Sequence, residues 1–262
     1  MAETSIAWCD YTHNGWIGCE KVSPACRSCY ASVDTYARVS ASRGLPLWGP
    51  DSTRHVTSVA NWRKPLTWDR KAASMTSDHK PRVFAHSLSD VAEDRRDLDE
   101  PRAWLSELIR RTRNLQWLLL TKRIEHMTRL FQRDVLEMCW VGTTAEDQRR
   151  ADERIPHLLT TPAAVRFVSV EPQLGPVDLA PWLEEHSPET TGCRRQPALS
   201  WCIVGGESGP KARPFDLAWA RSLRDQCKSA GTRFFMKQGF KGVGLEGLPP
   251  DLHVREFPNA AV

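Results

Sequence analysis

The segment CEKVSPACRSCY (residues 19–30) places three cysteines close together, Cys19, Cys26 and Cys29, with the spacing C-x6-C-x2-C. Cysteine thiolates bind zinc and iron–sulfur clusters, and a C-x2-C pair is common in such sites. In a chain of 262 residues whose first residues do not resemble a signal peptide, clustered cysteines indicate metal binding or catalysis more often than disulfide bonds. The segment therefore predicts a metal centre.

The spacing leaves three kinds of metal centre open. A structural zinc site needs four ligands, and Cys9 or His13 could supply the fourth. An iron–sulfur cluster held by four cysteines would also need Cys9. A four-iron cluster held by three cysteines leaves one iron open, and that iron can bind and reductively cleave S-adenosylmethionine (SAM). This last centre needs no fourth ligand.

Short apolar segments alternate with segments of helical periodicity along most of the chain. Apolar runs of this length are typical of buried parallel strands, and their alternation with helices indicates repeated βαβ units. Because no G-x-G-x-x-G motif follows the first strand, we predict an α/β fold that forms a partial or complete (β/α) barrel. The predicted strands are 5–9, 82–87, 115–121, 138–144, 165–172, 199–208 and 232–238, and the predicted helices are 100–113, 123–133, 145–159 and 216–231.

We expect one barrel-like domain over residues 1–238, with a metal-binding loop at 18–31. Segment 40–80 fits the βα pattern less well and is a candidate lid. Segment 184–198 is polar and rich in Pro and Thr, which predicts an exposed insertion. Residues 239–262 are rich in Gly and Pro and are predicted to form a loosely ordered C-terminal tail.

Each predicted strand ends in polar or small residues. In a parallel barrel all these ends lie on one face, where barrel enzymes build their sites. The acidic side chains could bind an ammonium group or ribose hydroxyls, the basic ones a carboxylate, and the glycines would let a ligand approach the backbone. These candidate site residues are Ser87, Ser89, Asp90, Thr121, Lys122, Arg123, Thr143, Glu171, Gly205, Gly206, Glu207 and Lys237.

The charge composition is mildly basic, with 36 Lys and Arg against 32 Asp and Glu and a formal net charge of +4. This is compatible with a nucleic-acid ligand, although the cations are not gathered in a basic tail. No run of apolar residues is long enough to span a bilayer. We therefore expect a cytoplasmic protein that makes no membrane contact.

Seven segments spread over nearly the whole chain carry a family resemblance. They are GCEKVSPACRSCYA (18–31), RVFAHSLSD (82–90), LLLTKR (118–123), VGTTAEDQ (141–148), RFVSVEPQLGPVDL (166–179), WCIVGGESGPKARP (201–214) and FFMKQ (234–238). On these segments the chain resembles the phage-associated, three-cysteine-motif radical SAM-like family of uncharacterised phage and bacterial proteins. Cys9 stands where family members carry Thr, so the resemblance does not make it a ligand.

The resemblance implies a barrel of the radical SAM type and two cofactors, a 4Fe–4S cluster on Cys19, Cys26 and Cys29 and SAM. We expect a radical enzyme whose substrate is unassigned, with a nucleobase, a nucleotide or a nucleic acid as the first candidate. An electron-donor protein and a partner protein encoded nearby are the expected partners. Cofactor binding is expected at Ser87, Ser89, Asp90, Thr121, Lys122, Thr143, Glu171, Gly205, Gly206 and Glu207, with the first three at the methionyl amine, and catalysis at Glu171, Glu207 and Lys237.

Two rival functions follow from the same residues. The chain could be a non-catalytic nucleic-acid-binding or protein-binding module stabilised by zinc, with Cys9 as the fourth ligand. It could also be a radical SAM fold that has lost catalysis and acts with a partner. The zinc module leaves the row of polar strand ends unexplained.

Overall fold

A computed structural model describes residues 4–32, 40, 42, 44, 46–76, 79–184, 198–209 and 211–259. The chain divides into two compact units, residues 1–140 and 141–262. Both units combine parallel strands with helices, three parallel strands in the first and four in the second. The predicted α/β class with parallel strands is therefore confirmed.

The first unit is built on three parallel strands in the order β1-β4-β5, with Thr12 beside Phe84 and Phe84 beside Leu118. Their side chains are largely buried, which explains why these strands read as apolar runs. A short antiparallel pair, β2 with β3, lies outside this order. The strands are β1 (Tyr11–His13), β2 (Trp16–Ile17), β3 (His55–Val56), β4 (Arg82–Ala85) and β5 (Gln116–Thr121), and the helices are α1 (Val59–Ala73), α2 (Asp99–Arg111), α3 (Met127–Leu130) and α4 (Arg133–Glu137).

The second unit continues the alternation in the order β6-β7-β8-β9. Asp147 and Asp216 cap the amino ends of its two long helices, where their carboxylates accept backbone N–H groups. Gly231 ends the last helix in the left-handed conformation, as the sequence predicts. The strands are β6 (Trp140–Thr144), β7 (Val165–Val170), β8 (Trp201–Gly205) and β9 (Arg233–Gln238), and the helices are α5 (Gln148–Thr160), α6 (Ala180–Leu183) and α7 (Leu217–Ala230).

Two predicted elements are wrong. No strand forms at 5–9; the first strand is β1, which begins at Tyr11, two residues after the end of the predicted strand. Pairing with β4 starts only where the backbone N–H of Asp10 reaches the carbonyl of Arg82, at 2.9 Å. The helix expected at 123–133 breaks at Phe131, which is extended and turns a buried ring inward. The other six predicted strands and the other three predicted helices are confirmed within a few residues of their predicted ends.

The C-terminal tail packs on the second unit as far as the structure describes it. Leu252 is fully buried, and the indole of Trp201 donates to the carbonyl of Glu256 at 2.9 Å. The expectation of a loosely ordered tail is thus corrected. The expected insertion at 184–198 lies, apart from its two end residues, outside the described residues. None of the helices among the described residues has the length and apolar character needed to cross a bilayer.

The core of the first unit contains a buried histidine. His13 is 1% exposed and its ring contacts Trp62 and Trp117. Neither ring nitrogen has a hydrogen-bond partner in the described part of the chain. Burial, together with the charge of Lys64, lowers the pKa of His13 from 6.5 to about 4.

We expect His13 to make stability depend on pH. Between pH 6.5 and 4 the unfolded chain holds a proton on His13 that the folded chain does not, so stability falls as pH falls through this window. The whole shift corresponds to about 3 kcal/mol, of which about 2 kcal/mol is lost by pH 5. Urea unfolding at pH 7.5 and pH 5 should therefore show a smaller pH effect in His13→Leu than in the wild type. His157→Gln, at an exposed position, should keep the wild-type effect. An unchanged pH effect in His13→Leu would contradict this assignment.

Candidate functional site

The cluster loop, residues 18–31, is fixed at its start by backbone contacts. Gly18 donates its N–H to the carbonyl of Leu88 at 3.1 Å, just beyond the end of β4. Cys19 donates to the carbonyl of Leu47 at 3.2 Å and accepts from the N–H of Gly49 at 3.1 Å. Gly18 has φ +113°, and a Cβ there would lie 2.3 Å from the Leu47 carbonyl oxygen, so this start requires glycine. The first cysteine is therefore placed at the carboxyl ends of the parallel strands.

The rest of the cluster loop folds back on the same edge of the first unit. Residues Pro24–Cys26 form a short 3-10 turn. The hydroxyl of Tyr30 donates to the carbonyl of Ser87 at 2.9 Å and so ties the far end of the loop to the residues after β4. Cys19 and Cys29 are half-buried, Cys26 is buried, and none of the three is in a disulfide. The loop thus carries three free thiols between two anchored ends.

A buried arginine contacts the first thiol. Arg123, just after β5, places Nη1 3.7 Å from the sulfur of Cys19 and donates through Nη2 to the carbonyl of Glu20 at 3.0 Å. Burial, reinforced by the carboxylate of Asp90, raises the pKa of Cys19 to about 12, although Arg123 acts in the opposite direction. Without metal this thiol is therefore protonated at neutral pH, and its binding to a metal as thiolate must release that proton.

Asp90 holds Arg123 in place. Its Oδ1 accepts from the hydroxyl of Thr121 at 2.5 Å and from the N–H of Ala92 at 3.0 Å, while its Oδ2 accepts from the N–H of Lys122 at 3.0 Å. The guanidinium of Arg123 lies 3.1 Å from the same Oδ2. Burial acts to raise the pKa of Asp90, but Arg123 and these hydrogen bonds outweigh it, so the pKa is lowered. Three hydrogen bonds and one ion pair thus engage both carboxylate oxygens of Asp90. Asp90 therefore orients Arg123, and its expected contact with an ammonium group stays a prediction.

The two serines expected beside Asp90 are also engaged within the first unit. Ser87 accepts from the amide of Asn14 at 3.1 Å, and Ser89 donates to the carbonyl of Trp16 at 3.1 Å. The hydroxyl of Ser89 also lies 2.8 Å from Nδ1 of His86. These contacts join the ends of β1 and β4. They leave each serine oxygen part of its hydrogen-bonding capacity for a ligand.

A buried ion pair behind the cluster loop was not predicted from the sequence. Arg54 binds Glu93 through two hydrogen bonds, Nε to Oε2 at 2.8 Å and Nη2 to Oε1 at 2.6 Å. The same guanidinium donates to the carbonyls of Leu47, Gly49 and Ser52, which shape the segment paired with Cys19. Glu93 also lies 3.8 Å from Arg123, which links the two buried arginines. Arg54 lies in segment 40–80, the candidate lid, and nothing in the sequence around it indicates that it is buried.

Neither candidate fourth ligand joins the three thiols. Cys9 precedes β1 next to Asp10, whose carboxylate contacts Arg82 at the start of β4. Cys19 lies beyond the other end of β1, so the strand separates these two cysteines. His13 has its ring among the tryptophans of the core. Within the described ranges, no three His, Cys, Asp or Glu side chains are grouped so that they could hold a metal ion.

In the second unit the predicted catalytic residues occur as ion pairs. The ammonium of Lys237 binds the carboxylate of Glu171, and both side chains are partly exposed. Glu207 accepts from the backbone N–H of Arg213 at 2.7 Å and from its guanidinium. Burial acts to raise the pKa of Glu207, but the hydrogen bonds from Arg213 outweigh it, so the pKa is lowered. Arg213 was not among the predicted site residues, because it follows the strand end by several residues.

The paired glycines after β8 serve the packing of the second unit. Gly206 donates to the carbonyl of Gln238 at 3.1 Å, and the amide of Gln238 donates back to the carbonyl of Gly206 at 2.8 Å. A Cβ at Gly206 would lie 2.8 Å from the carbonyl oxygen of Gly239, and one at Gly205 would lie 3.5 Å from the Glu171 carboxyl carbon. The close approach expected for a ligand at Gly206 is thus made by the chain after β9. Thr143 is fully buried within β6.

Comparison with known proteins gives one match. A family model described as "Protein of unknown function (DUF5131)" matches residues 3–245. No curated protein and no solved structure matches the chain.

Proposed function

Because the chain belongs to the DUF5131 family, whose description names no activity, we propose a function from its own residues. We propose that it is a radical SAM enzyme on a barrel of the radical SAM type. It holds a 4Fe–4S cluster through Cys19, Cys26 and Cys29 and cleaves SAM to modify a nucleobase or nucleic acid. The observation that carries the proposal is a doubly anchored loop with three free thiols at the carboxyl ends of parallel strands.

The donor set fits a cluster better than a single ion. The ligands of a zinc ion must all lie about 2.0–2.3 Å from one point. In a four-iron cluster the three cysteines bind three different irons, so their sulfurs surround a cluster rather than a single ion. The cluster loop carries three cysteines, the number that such a cluster needs, and Cys9 lies at the opposite end of β1 from Cys19. Both observations favour the cluster over the zinc module.

Bound at the loop, the cluster and SAM supply the radical chemistry. The residues of the chain position and tune these groups. Arg123 places a positive charge and an N–H donor at the Cys19 sulfur, which favours the thiolate form and would raise the reduction potential of a cluster held there. Asp90 and Thr121 hold Arg123 in that orientation.

The remaining assignments follow the same proposal. Ser87, Ser89 and Asp90 serve the methionyl amine of SAM. In the second unit Glu171 pairs with Lys237 and Glu207 with Arg213, and the roles expected for Glu171, Glu207 and Lys237 at the ribose or the substrate stay predictions. An electron-donor protein supplies the reducing equivalent that SAM cleavage requires.

Anaerobic reconstitution tests the proposal directly. The full chain, treated with iron and sulfide under strict anaerobiosis, should turn brown and hold about four irons per chain. With a strong reductant and SAM it should release 5′-deoxyadenosine, and omission of the reductant is the control. A colourless protein with one zinc and no iron would overturn the proposal in favour of the zinc module. A loaded cluster without 5′-deoxyadenosine would show a fold that has lost catalysis.

A further inference from the structure

Helix α1 presents four cations on one exposed face. Arg63, Lys64, Arg70 and Lys71 are all exposed, and they stand at positions i, i+1, i+7 and i+8. With 3.6 residues per turn, these positions project from one side of a helix. Thr67 lies between them on the same side and is also exposed. We call this surface, defined by the four cations and Thr67, the α1 cationic face.

The orientation of α1 is fixed by its inner side. Trp68 is buried and stacks on Tyr11 with ring centroids 4.4 Å apart. Asp69 is the only acidic residue of α1, and its carboxylate accepts from the backbone N–H of Asn114 at 2.8 Å and from the Asn114 amide at 3.2 Å. The single acid of the helix is therefore engaged away from the α1 cationic face.

Among the residues that the structure describes, no acidic side chain forms an ion pair with these four cations. Several exposed arginines elsewhere are ion-paired, as Arg133 is with Glu137 and Arg149 with Glu153, both at 2.7 Å. Across the described part of the chain, none of the four cations of the α1 cationic face takes part in a salt bridge. Arg70 and Lys71 lie in the last turn of α1, where they offset the negative end of the helix dipole. Gathered on one face, however, the four like charges repel each other. Their grouping points to an anion outside the chain.

We propose that the α1 cationic face binds the phosphate backbone of a nucleic acid. Residues 63 to 71 span about 12 Å along the helix, enough to meet several consecutive phosphates. A membrane fits less well, because interfacial helices bury their apolar face in lipid and α1 packs that face, with Trp68, on the protein. An acidic protein would present carboxylates instead of phosphates, and a polyglutamate peptide tests that occupant. This inference rests on the proposed function in that it gives the nucleic-acid substrate a binding surface, but the binding itself needs neither the cluster nor SAM, so it can fail or hold independently of SAM cleavage.

Salt-dependent binding tests this inference. A labelled 20-nucleotide single strand is titrated with the full chain, and fluorescence anisotropy is followed between 50 and 200 mM salt. Four phosphate contacts predict that affinity falls about 50-fold over this range. The variant R63Q/K64Q/R70Q/K71Q should reduce the slope of log K against log salt by about 3. Its far-ultraviolet circular dichroism should match the wild type, since all four positions are exposed.

A matched variant separates local binding from net charge. R129Q/R133Q/R149Q/R221Q removes the same formal charge from arginines that are each ion-paired with an acid. It should keep most of the wild-type slope. An equal reduction of the salt-dependence slope in both variants would overturn the inference, because binding would then follow net charge alone. Absence of binding by the wild type at 50 mM salt, or binding only to anionic lipid vesicles or to a polyglutamate peptide, would also overturn it.

Discussion

Cys26→Ser is expected to abolish cluster loading, whereas Cys9→Ser is expected to load as fully as the wild type. Cys26 supplies one of only three thiols on the cluster loop, so its loss leaves two ligands for a four-iron centre. Cys9 lies before β1, at the end opposite Cys19, and its sulfur is 3.8 Å from the carbonyl of Ile6. After anaerobic reconstitution, iron should fall from about four per chain to near zero in Cys26→Ser and stay unchanged in Cys9→Ser.

The two cysteine variants form a matched pair, since each replaces one buried thiol by a hydroxyl. Iron and sulfide analysis and the visible absorption spectrum give readouts that do not depend on activity. Equal loss of iron in both variants would point to four-cysteine ligation and would contradict the placement of Cys9. Full loading of Cys26→Ser would contradict the assignment of the cluster loop itself.

Glu93→Leu is expected to lower the free energy of unfolding by about 3–5 kcal/mol. The change leaves the guanidinium of Arg54 buried without its carboxylate, and Arg54 and Glu93 are both almost fully buried. Removing one partner of a buried ion pair lowers the free energy of unfolding by far more than the intact pair adds to it, because the remaining buried charge is left uncompensated. Urea unfolding of the cluster-free chain measures the effect without any contribution from metal.

Two further variants give this prediction its controls. Asp97→Asn removes the partner of Arg95 in an exposed pair and should cost about 0–1 kcal/mol. The double variant Arg54→Met, Glu93→Leu removes both charges and should recover much of the loss caused by Glu93→Leu alone. A cost in Glu93→Leu no larger than in Asp97→Asn would show that the buried pair does not hold the segment beneath the cluster loop.

The alternation of strands and helices was predictable because buried parallel strands require continuous apolar runs. β5, β7 and β9 fall inside the segments expected for them, since the apolar pattern ends where burial ends. Gly231 was predictable because left-handed termini favour glycine. Helix α1 was missed because Pro65 lies within it, and proline usually marks a helix boundary. There the packing of Trp68 on Tyr11 outweighs the local preference.

The candidate site was only partly predictable, because a polar residue at a strand end can face a ligand or the protein. Asp90 and Arg123 were expected at the mouth of a barrel, and the structure places them together, but their charges meet each other and Cys19. Arg54 and Glu93 come from segments with no distinctive pattern, and their pairing depends on tertiary contacts. The α1 cationic face was hidden in a composition that is nearly neutral overall.

The two anchors of the cluster loop change the thermodynamics of ligand uptake. With Gly18 bonded to Leu88 and Tyr30 bonded to Ser87, the intervening residues are closed into a ring before any ligand arrives. Closing a ring of this size has a length-dependent free-energy cost of about 2 kcal/mol. That cost arises when the chain folds, so ligand binding does not have to meet it. Affinity at the three thiols therefore depends on the integrity of the first unit, so local opening of that edge would release the ligand before the chain unfolds globally.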